Sequence, residues 1–131
     1  MIRILLAGRD TASLSALEAA LQKRAAHIQY LVSGKQALAA ISAESFDLLV
    51  VDEMLEDMTG IELIQSVTMK QPLLNCALVS SLPPEEFHEA TEGLGILMAL
   101  SPNPGTKEAD ILITHLNKIL SFAKHPGTKE S

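Results

Sequence analysis

The segment of residues 46–52 constrains the fold more than any other part of this sequence. It is an apolar run of strand length, and it ends on an acid, Asp52. A run that is apolar on both faces is typical of a central strand in a parallel sheet with helices on each side. Open sheets of this kind bind ligands in the crevice at the carboxyl ends of their strands. The sequence therefore predicts that Asp52 lies at the functional edge of an α/β sheet.

Segments with strand character alternate with segments of helical spacing along the chain. The predicted strands are residues 2–7, 27–33, 46–51, 75–80 and 96–100. Ser15-x-x-Glu18 and Thr59-x-x-Glu62 read as capping boxes at the starts of the first and third helices, and the last helix is predicted over 106–124. Right-handed crossovers make this an α/β fold with a five-stranded parallel sheet and helices on both faces. Residues 27–33 have mixed polarity, which favours a place nearer the edge.

Composition excludes several classes of protein. The chain has 131 residues, which fits one domain, residues 1–124, followed by a tail or linker start at 125–131. Its net charge of −6 argues against nucleic-acid binding. Its single cysteine, Cys76, allows no disulfide within the chain. No signal-peptide pattern precedes the first strand, and no apolar run approaches the ~18 residues of a membrane span. These features predict a cytoplasmic protein with no membrane partner.

Residues 46–52, followed by residues 58–63, resemble the receiver (CheY-like) domain of two-component response regulators, and the resemblance extends from residue 2 to about residue 124. It implies a flavodoxin-like strand order of 2-1-3-4-5 and a role in phosphorelay signal transduction. It also implies that Asp52 is the phospho-acceptor, with a sensor histidine kinase as the donor. Ser80 matches the hydroxyl that follows the fourth strand, and Met54 matches the residue whose backbone carbonyl binds Mg²⁺.

Other positions depart from the family pattern. Gly8 and Arg9 stand where the family has two adjacent acids that hold Mg²⁺, and Asp10 comes one place late. Asp10 is then either a displaced metal ligand or, as its type favours, a helix N-cap. Ser101 stands where the family has a lysine. Ser80 itself is either the switch hydroxyl or a residue that caps the next helix.

These departures bear directly on the chemistry of phosphoryl transfer. Catalysis there depends on positioning and on cations that stabilise developing charge, and Mg²⁺ is usually anchored by one or two carboxylates. Two unit charges ~4 Å apart near a surface interact by about 4 kcal/mol, and losing that contact slows a reaction by roughly three decades. We therefore expect weak or no phosphorylation of Asp52, no cofactor, and at most a weak Mg²⁺ site.

Arg9 has two readings. Its guanidinium can pair with the Asp52 carboxylate in a bidentate geometry and supply a fixed cation in place of the metal. Alternatively it points to solvent and pairs with Glu56 or Asp57, at little energetic consequence. The acids of this loop, which include Glu53, form either a loose metal site or an ordinary solvated loop, and the second reading is favoured.

The fourth helix, fifth strand and fifth helix form the predicted partner surface. Leu112, Leu116 and Ile119 are expected to face the sheet, which leaves Ile113 and Leu120 beside Leu97 and Met98. The resemblance implies docking of a protein partner or a homodimer at this face.

Two other interpretations stay open. One is a small flavodoxin-like domain that binds a nucleotide or flavin, although the short, Gly-poor loops argue against it. The other is a receiver fragment of a longer regulator. Whether the chain is a stand-alone receiver domain or a fragment of a longer regulator, we expect that it is not an enzyme.

Overall fold

The structure is a computed structural model that describes residues 2–10, 12–24 and 27–124. Five strands alternate with five helices along the chain. The strands are β1 (Arg3–Ala7), β2 (His27–Leu31), β3 (Leu48–Val51), β4 (Asn75–Val79) and β5 (Ile96–Leu100). The helices are α1 (Ser15–Gln22), α2 (Gly34–Ala43), α3 (Gly60–Lys70), α4 (Pro84–Ala90) and α5 (Thr106–Lys124).

The strands form one parallel sheet in the order β2-β1-β3-β4-β5. The predicted fold class and strand order are therefore confirmed, and β2 is an edge strand as its mixed polarity indicated. Ala7 lies opposite Leu31 on one side and Val51 on the other. Because these three strands end level with one another, the residues that follow them meet at one edge of the sheet.

Alternate residues of the central strands enter two separate apolar cores. Leu6 and Val50 pack with helices α1 and α5 on one face, while Leu5 and Val51 pack with α2 and α3 on the other. Every residue of β3 is buried, and burying a Leu or Val side chain contributes about 1.5–3 kcal/mol. This two-faced burial explains why the sequence of β3 lacks polar alternation. Within residues 2–10, 12–24 and 27–124, no helix is long and apolar enough to cross a membrane.

The two predicted capping boxes have different outcomes. At the start of α3 the Thr59 hydroxyl accepts the backbone amide of Glu62 and the Glu62 carboxylate accepts the backbone amide of Thr59, which confirms the prediction. The box at Ser15 is wrong, since Ser15 is the first residue of α1 and Leu14 occupies the N-cap without a side-chain bond. The reason lies upstream, where the Asp10 carboxylate accepts the backbone amides of Ala12 and Ser13 in a turn that precedes the helix.

Several strands are shorter than predicted, because polar side chains next to them accept hydrogen bonds from backbone amides. Strand β2 stops at Leu31, and Ser33 instead caps α2 by accepting the amide of Gln36 at 3.1 Å. Strand β3 begins at Leu48, while the Asp47 carboxylate accepts the amide of Arg3 at 2.8 Å. Strand β4 ends at Val79 rather than at residue 80. The predicted tail, residues 125–131, lies outside the described residues.

Helix α5 is rotated relative to the prediction. Leu112 and Leu116 are buried, but Ile119 is 36% exposed and faces away from the sheet. Ile113 and Leu120, expected to be left over, pack instead against the core on the α1 side, as do Leu97 and Met98 of β5. The apolar face of α5 that packs against the core is therefore wider than one row of residues. Most of the apolar side chains that were predicted to be exposed at this face are partly buried instead.

Candidate functional site

Asp52 lies at the carboxyl edge of the sheet, directly after the buried strand β3. Its amide donates to the carbonyl of Ala7 at 2.8 Å, and the amide of Gly8 donates to Leu31 at 3.1 Å. These bonds continue the strand pairing by one residue, so that Gly8 and Asp52 sit side by side. Asp52 is half-buried, with its carboxylate at the rim.

Both oxygens of the Asp52 carboxylate accept hydrogen bonds from the protein. The hydroxyl of Ser13 donates to Oδ2, and the amide of Glu53 donates to Oδ1 at 2.8 Å. Ser13 lies in the turn before α1, in the loop that follows the neighbouring strand β1. The carboxylate is thus held by groups from two different loops.

The space beside Gly8 is filled by the side chain of Tyr30. A Cβ atom added to Gly8 would lie 2.7 Å from the Tyr30 hydroxyl and 3.2 Å from the Asp52 Cβ. The hydroxyl donates to the backbone carbonyl of Asp10. Burial, followed by the negative charges of Asp52 and Asp10, raises the pKa of Tyr30 to about 12. A neutral phenol therefore occupies the volume that a longer side chain at position 8 would need.

Arg9 meets the site through its backbone rather than its guanidinium. Its amide donates to the carbonyl oxygen of Met54 at 3.0 Å. Within the part of the chain that the structure describes, the ion pairs are Arg3 with Glu44 and Arg24 with Asp110. Arg9 is exposed to solvent, in line with the second interpretation, and among the described residues it forms no ion pair with Asp52, Glu56 or Asp57.

Two further acids of the loop between β3 and α3, Asp57 and Glu53, bind backbone amides of other loops. Asp57 accepts the amides of Gly34 and Lys35 at 2.6 and 3.1 Å, and these bonds, with Gly34 foremost, lower the pKa of its carboxyl. Glu53 Oε2 accepts both the amide and the hydroxyl of Ser81, at 2.6 and 2.8 Å. Among residues 2–10, 12–24 and 27–124, no three His, Cys, Asp or Glu side chains form a metal-holding group.

Gly60 lets helix α3 begin close beneath Asp52. Its amide donates to the Glu53 carbonyl at 2.8 Å. A Cβ at this position would collide with the Asp52 carbonyl oxygen and lie 2.9 Å from Leu78. The first residue of α3 thus packs directly against the backbone of Asp52 and Glu53.

Ser80 and Ser101 follow β4 and β5 at the same edge. The Ser80 hydroxyl accepts the amide of Leu82 at 3.1 Å within the loop, whereas Pro83 is the N-cap of α4 and no side chain caps it, so Ser80 does not cap the helix. Both serines line a groove of about 410 Å³ between β5 and α4, with Phe87 and Ala99. Ser101 is exposed and offers a hydroxyl where a cation was expected from the family pattern.

Three contacts at the site were missed by sequence reasoning. Tyr30 had a usable signal, because a tyrosine hydroxyl on a half-buried strand needs a hydrogen-bond partner. Ser13 gave no signal, since nothing local links it to Asp52. Glu53 was read only as one acid of a solvated loop, and its partner Ser81 lies in a distant loop.

Comparisons with known proteins agree on one family. The model of the response regulator receiver domain matches residues 4–101. The response regulator receiver protein CpdR of Brucella abortus is 34% identical over 80 residues, which cover 61% of this chain and 67% of that protein.

Solved structures with the same fold include two receivers of low sequence identity. The CheY-like response regulator receiver domain protein from Methanospirillum hungatei has a TM-score of 0.79 at 22% identity, over 97% of this chain and 99% of that one. The response regulator TrrA from Thermotoga maritima, in complex with Mg²⁺-BeF, has a TM-score of 0.76 at 17% identity, over 88% and 99%. Since the family model spans most of the sequence, the chain belongs to the response regulator receiver domains of two-component signal transduction.

Proposed function

We propose that this receiver domain signals through protein–protein contact and that Asp52 is phosphorylated slowly or not at all. The observation that carries the proposal is the occupation of the Asp52 carboxylate. Ser13 and the Glu53 amide bind its two oxygens, and Gly8 and Arg9 replace the acid pair of the family. A nucleophile whose oxygens are already hydrogen-bonded, without cations beside it, is poorly prepared to attack a phosphoryl group.

We further propose that the site works without Mg²⁺, the cofactor that the family implies. Mg²⁺ demands a near-octahedral set of oxygens, and the donor set here does not fit it. Gly8 offers no side-chain oxygen, and the Met54 carbonyl accepts the Arg9 amide. The Asp10 carboxylate, a candidate displaced ligand, binds the amides of Ala12 and Ser13. No step of the proposed function depends on a metal.

Incubation with acetyl phosphate and Mg²⁺ tests this proposal, with intact mass as the readout. We expect no phosphoryl adduct under conditions that label an ordinary receiver run in parallel. A Mg²⁺-dependent adduct that disappears in Asp52→Ala would contradict it. The variant Ser13→Ala is a second arm, because freeing Oδ2 should increase any residual labelling if the Ser13 bond restrains the nucleophile.

The proposed contact surface is the face made by α4, β5 and α5. Receiver domains act through protein interaction, and this face presents two grooves, of about 500 and 410 Å³, where α4 meets β5. Ala99 is exposed on β5 and lines both grooves. We propose a protein partner or a homodimer here, with a sensor histidine kinase as the upstream partner that docks without efficient transfer.

Replacing Ala99 with arginine tests this face. Ala99→Arg places a charged side chain in both grooves without disturbing a buried position, and we expect it to weaken self-association or kinase docking measured by sedimentation and pull-down. Lys70→Ala, on an exposed position of α3 outside this face, is the control. Unchanged association in Ala99→Arg would contradict the proposed face.

Two further aspects belong to the proposal. We propose that the chain is not an enzyme and works in the cytoplasm, as expected of a signalling receiver with a lone cysteine. The family match leaves the flavodoxin-like nucleotide- or flavin-binding reading without support. Absorbance of the purified protein in the visible range tests it, and a bound flavin would overturn the assignment as a pure contact domain.

A further inference from the structure

Glu53 joins two loops that leave the sheet from neighbouring strands. It follows Asp52 at the end of β3, and its Oε2 accepts the amide of Ser81 at 2.6 Å and the Ser81 hydroxyl at 2.8 Å. Ser81 belongs to the loop of residues 80–83, between β4 and α4. One carboxylate oxygen thus receives two donors of a single residue, a geometry in which the ionised acceptor strengthens both bonds.

The Glu53 side of this bridge is fixed to the core. The Glu53 carbonyl accepts the amide of Gly60 at 2.8 Å, and its amide is bound to Asp52. Gly60 starts α3, which is seated against β3 so closely that no Cβ fits there. The carboxylate of Glu53 therefore projects from a backbone that is hydrogen-bonded at both its amide and its carbonyl.

Helix α4, on the other side of the bridge, has little else to hold it. It has no fully buried residue and no side-chain cap at its N-terminus. Phe87 is its packing residue against the core, and the two grooves separate the rest of the helix from β5. A short helix of this kind depends on the loop that precedes it for its position.

We propose that the Glu53–Ser81 bridge holds the loop of residues 80–83 in one conformation and thereby sets where α4 lies against β5. Glu53 is a positioning residue in this scheme, and Ser81 is its anchor. Breaking the bridge releases the loop and lets α4 move while the sheet stays intact. The consequence for signalling rests on the proposed docking role of the α4–β5–α5 face, whereas the bridge itself does not.

Hydrogen–deuterium exchange of the full chain, resolved by peptide mass spectrometry, tests the bridge. We expect Glu53→Ala to accelerate exchange of residues 81–91 by roughly tenfold, the factor for losing about one charge-assisted hydrogen bond. Glu53→Gln keeps an uncharged acceptor and Ser81→Ala keeps the amide donor, so both should fall between the wild type and Glu53→Ala. Glu56→Ala removes an exposed acid of the same loop and should leave residues 81–91 unchanged.

Two results would overturn the proposal. One is exchange of residues 81–91 in Glu53→Ala equal to that in Glu56→Ala. The other is acceleration spread evenly over the strands, which would mean that Glu53 only adds global stability. Ala99→Arg tests the proposed face separately, because it should alter association while it leaves Glu53 and Ser81 in place. Unchanged association there counts against the face and leaves the bridge standing.

Discussion

At the residue scale, Tyr30 and Gly8 share one volume beside Asp52. The Tyr30 hydroxyl would lie 2.7 Å from the Cβ of any larger residue at position 8, and it donates a hydrogen bond to the Asp10 carbonyl. An acid cannot simply be restored at Gly8 while the phenol keeps this place. The residues that fit at position 8 are thus physically coupled to the side chain at position 30.

This coupling predicts the outcome of a double-mutant cycle. Gly8→Asp should destabilise the fold by about 1–3 kcal/mol, the range for inserting atoms into filled space. In a Tyr30→Phe background the same change should cost less, because the clashing oxygen is gone. Urea unfolding of the four proteins measures the coupling. Additive effects of the two substitutions would contradict the shared volume.

Tyr30 also reports on the charge of Asp52. It is the only tyrosine of the chain, which has no tryptophan, so an ultraviolet titration follows one group. We expect ionisation near pH 12, since burial first and then Asp52 and Asp10 raise the pKa of the phenol. Asp52→Asn should lower that pKa toward the ordinary value of about 10, and Glu18→Gln should lower it less. An unchanged titration in Asp52→Asn would show that the two groups do not interact.

The sign of the stability effect follows from the same shift. The folded state retains the phenolic proton more tightly than the unfolded chain does, so the unfolded state loses it first as the pH rises. The contribution of Tyr30 is complete below about pH 10 and is lost as the pH rises through about 12.

At the element scale, the loop between β3 and α3 links three neighbouring connections of the sheet. Asp57 reaches the start of α2, Glu53 reaches the loop before α4, and the Met54 carbonyl reaches the loop after β1. Two acids for which the sequence indicates no partner, Asp57 and Glu53, are thus bound to backbone amides. Anionic side chains are favourable at the start of a helix, and Asp57 serves α2 in this way from another loop.

Removing Asp57 should destabilise α2 in a pH-dependent manner. We expect Asp57→Ala to lower the Tm by a few degrees at neutral pH, because the amides of Gly34 and Lys35 lose their acceptor. The pKa of Asp57 is lowered in the fold, so its contribution is present above the ordinary range of an Asp and is lost as the pH falls through the lowered value. The difference from wild type should therefore shrink in acid. Glu56→Ala is the matched control, and an equal Tm loss there would contradict the role of Asp57.

The elements and the edge position of Asp52 could be predicted because they depend on local patterns. Two-faced apolar runs mark the buried strands, and Thr59 with Glu62 marks the start of α3. The occupants of the site could not be predicted in this way. Ser13 and Tyr30 reach Asp52 and Gly8 only after β1, β2 and β3 have aligned, and the side-chain rotamers that bring them there leave no periodic trace. The orientation of the Arg9 side chain depends on a rotamer in the same way, and the sequence does not specify it.

At the scale of the whole molecule, the rigid and the loosely held parts are separated. The buried strands β1, β3 and β4, with α1, α3 and α5, form the two cores, while α4 contributes no fully buried residue. Free energies of local opening follow burial in this manner. A partner that binds the α4–β5–α5 face therefore meets the part of the fold that is easiest to rearrange.

Thermal unfolding of the whole protein with and without Mg²⁺ tests the proposal that the Asp52 site does not bind this metal. A ligand at tenfold excess over its Kd stabilises the folded state by about 1.4 kcal/mol, which is roughly 5 °C for a domain of this size. We expect no such shift for the wild type between excess chelator and excess Mg²⁺. The variant Gly8→Asp/Arg9→Asp/Tyr30→Phe regains two carboxylates with room for them, and its Tm should rise with Mg²⁺. Adding Asp52→Asn to that variant should abolish the rise, whereas a rise in the wild type that depends on Asp52 would show that the native site already holds the metal.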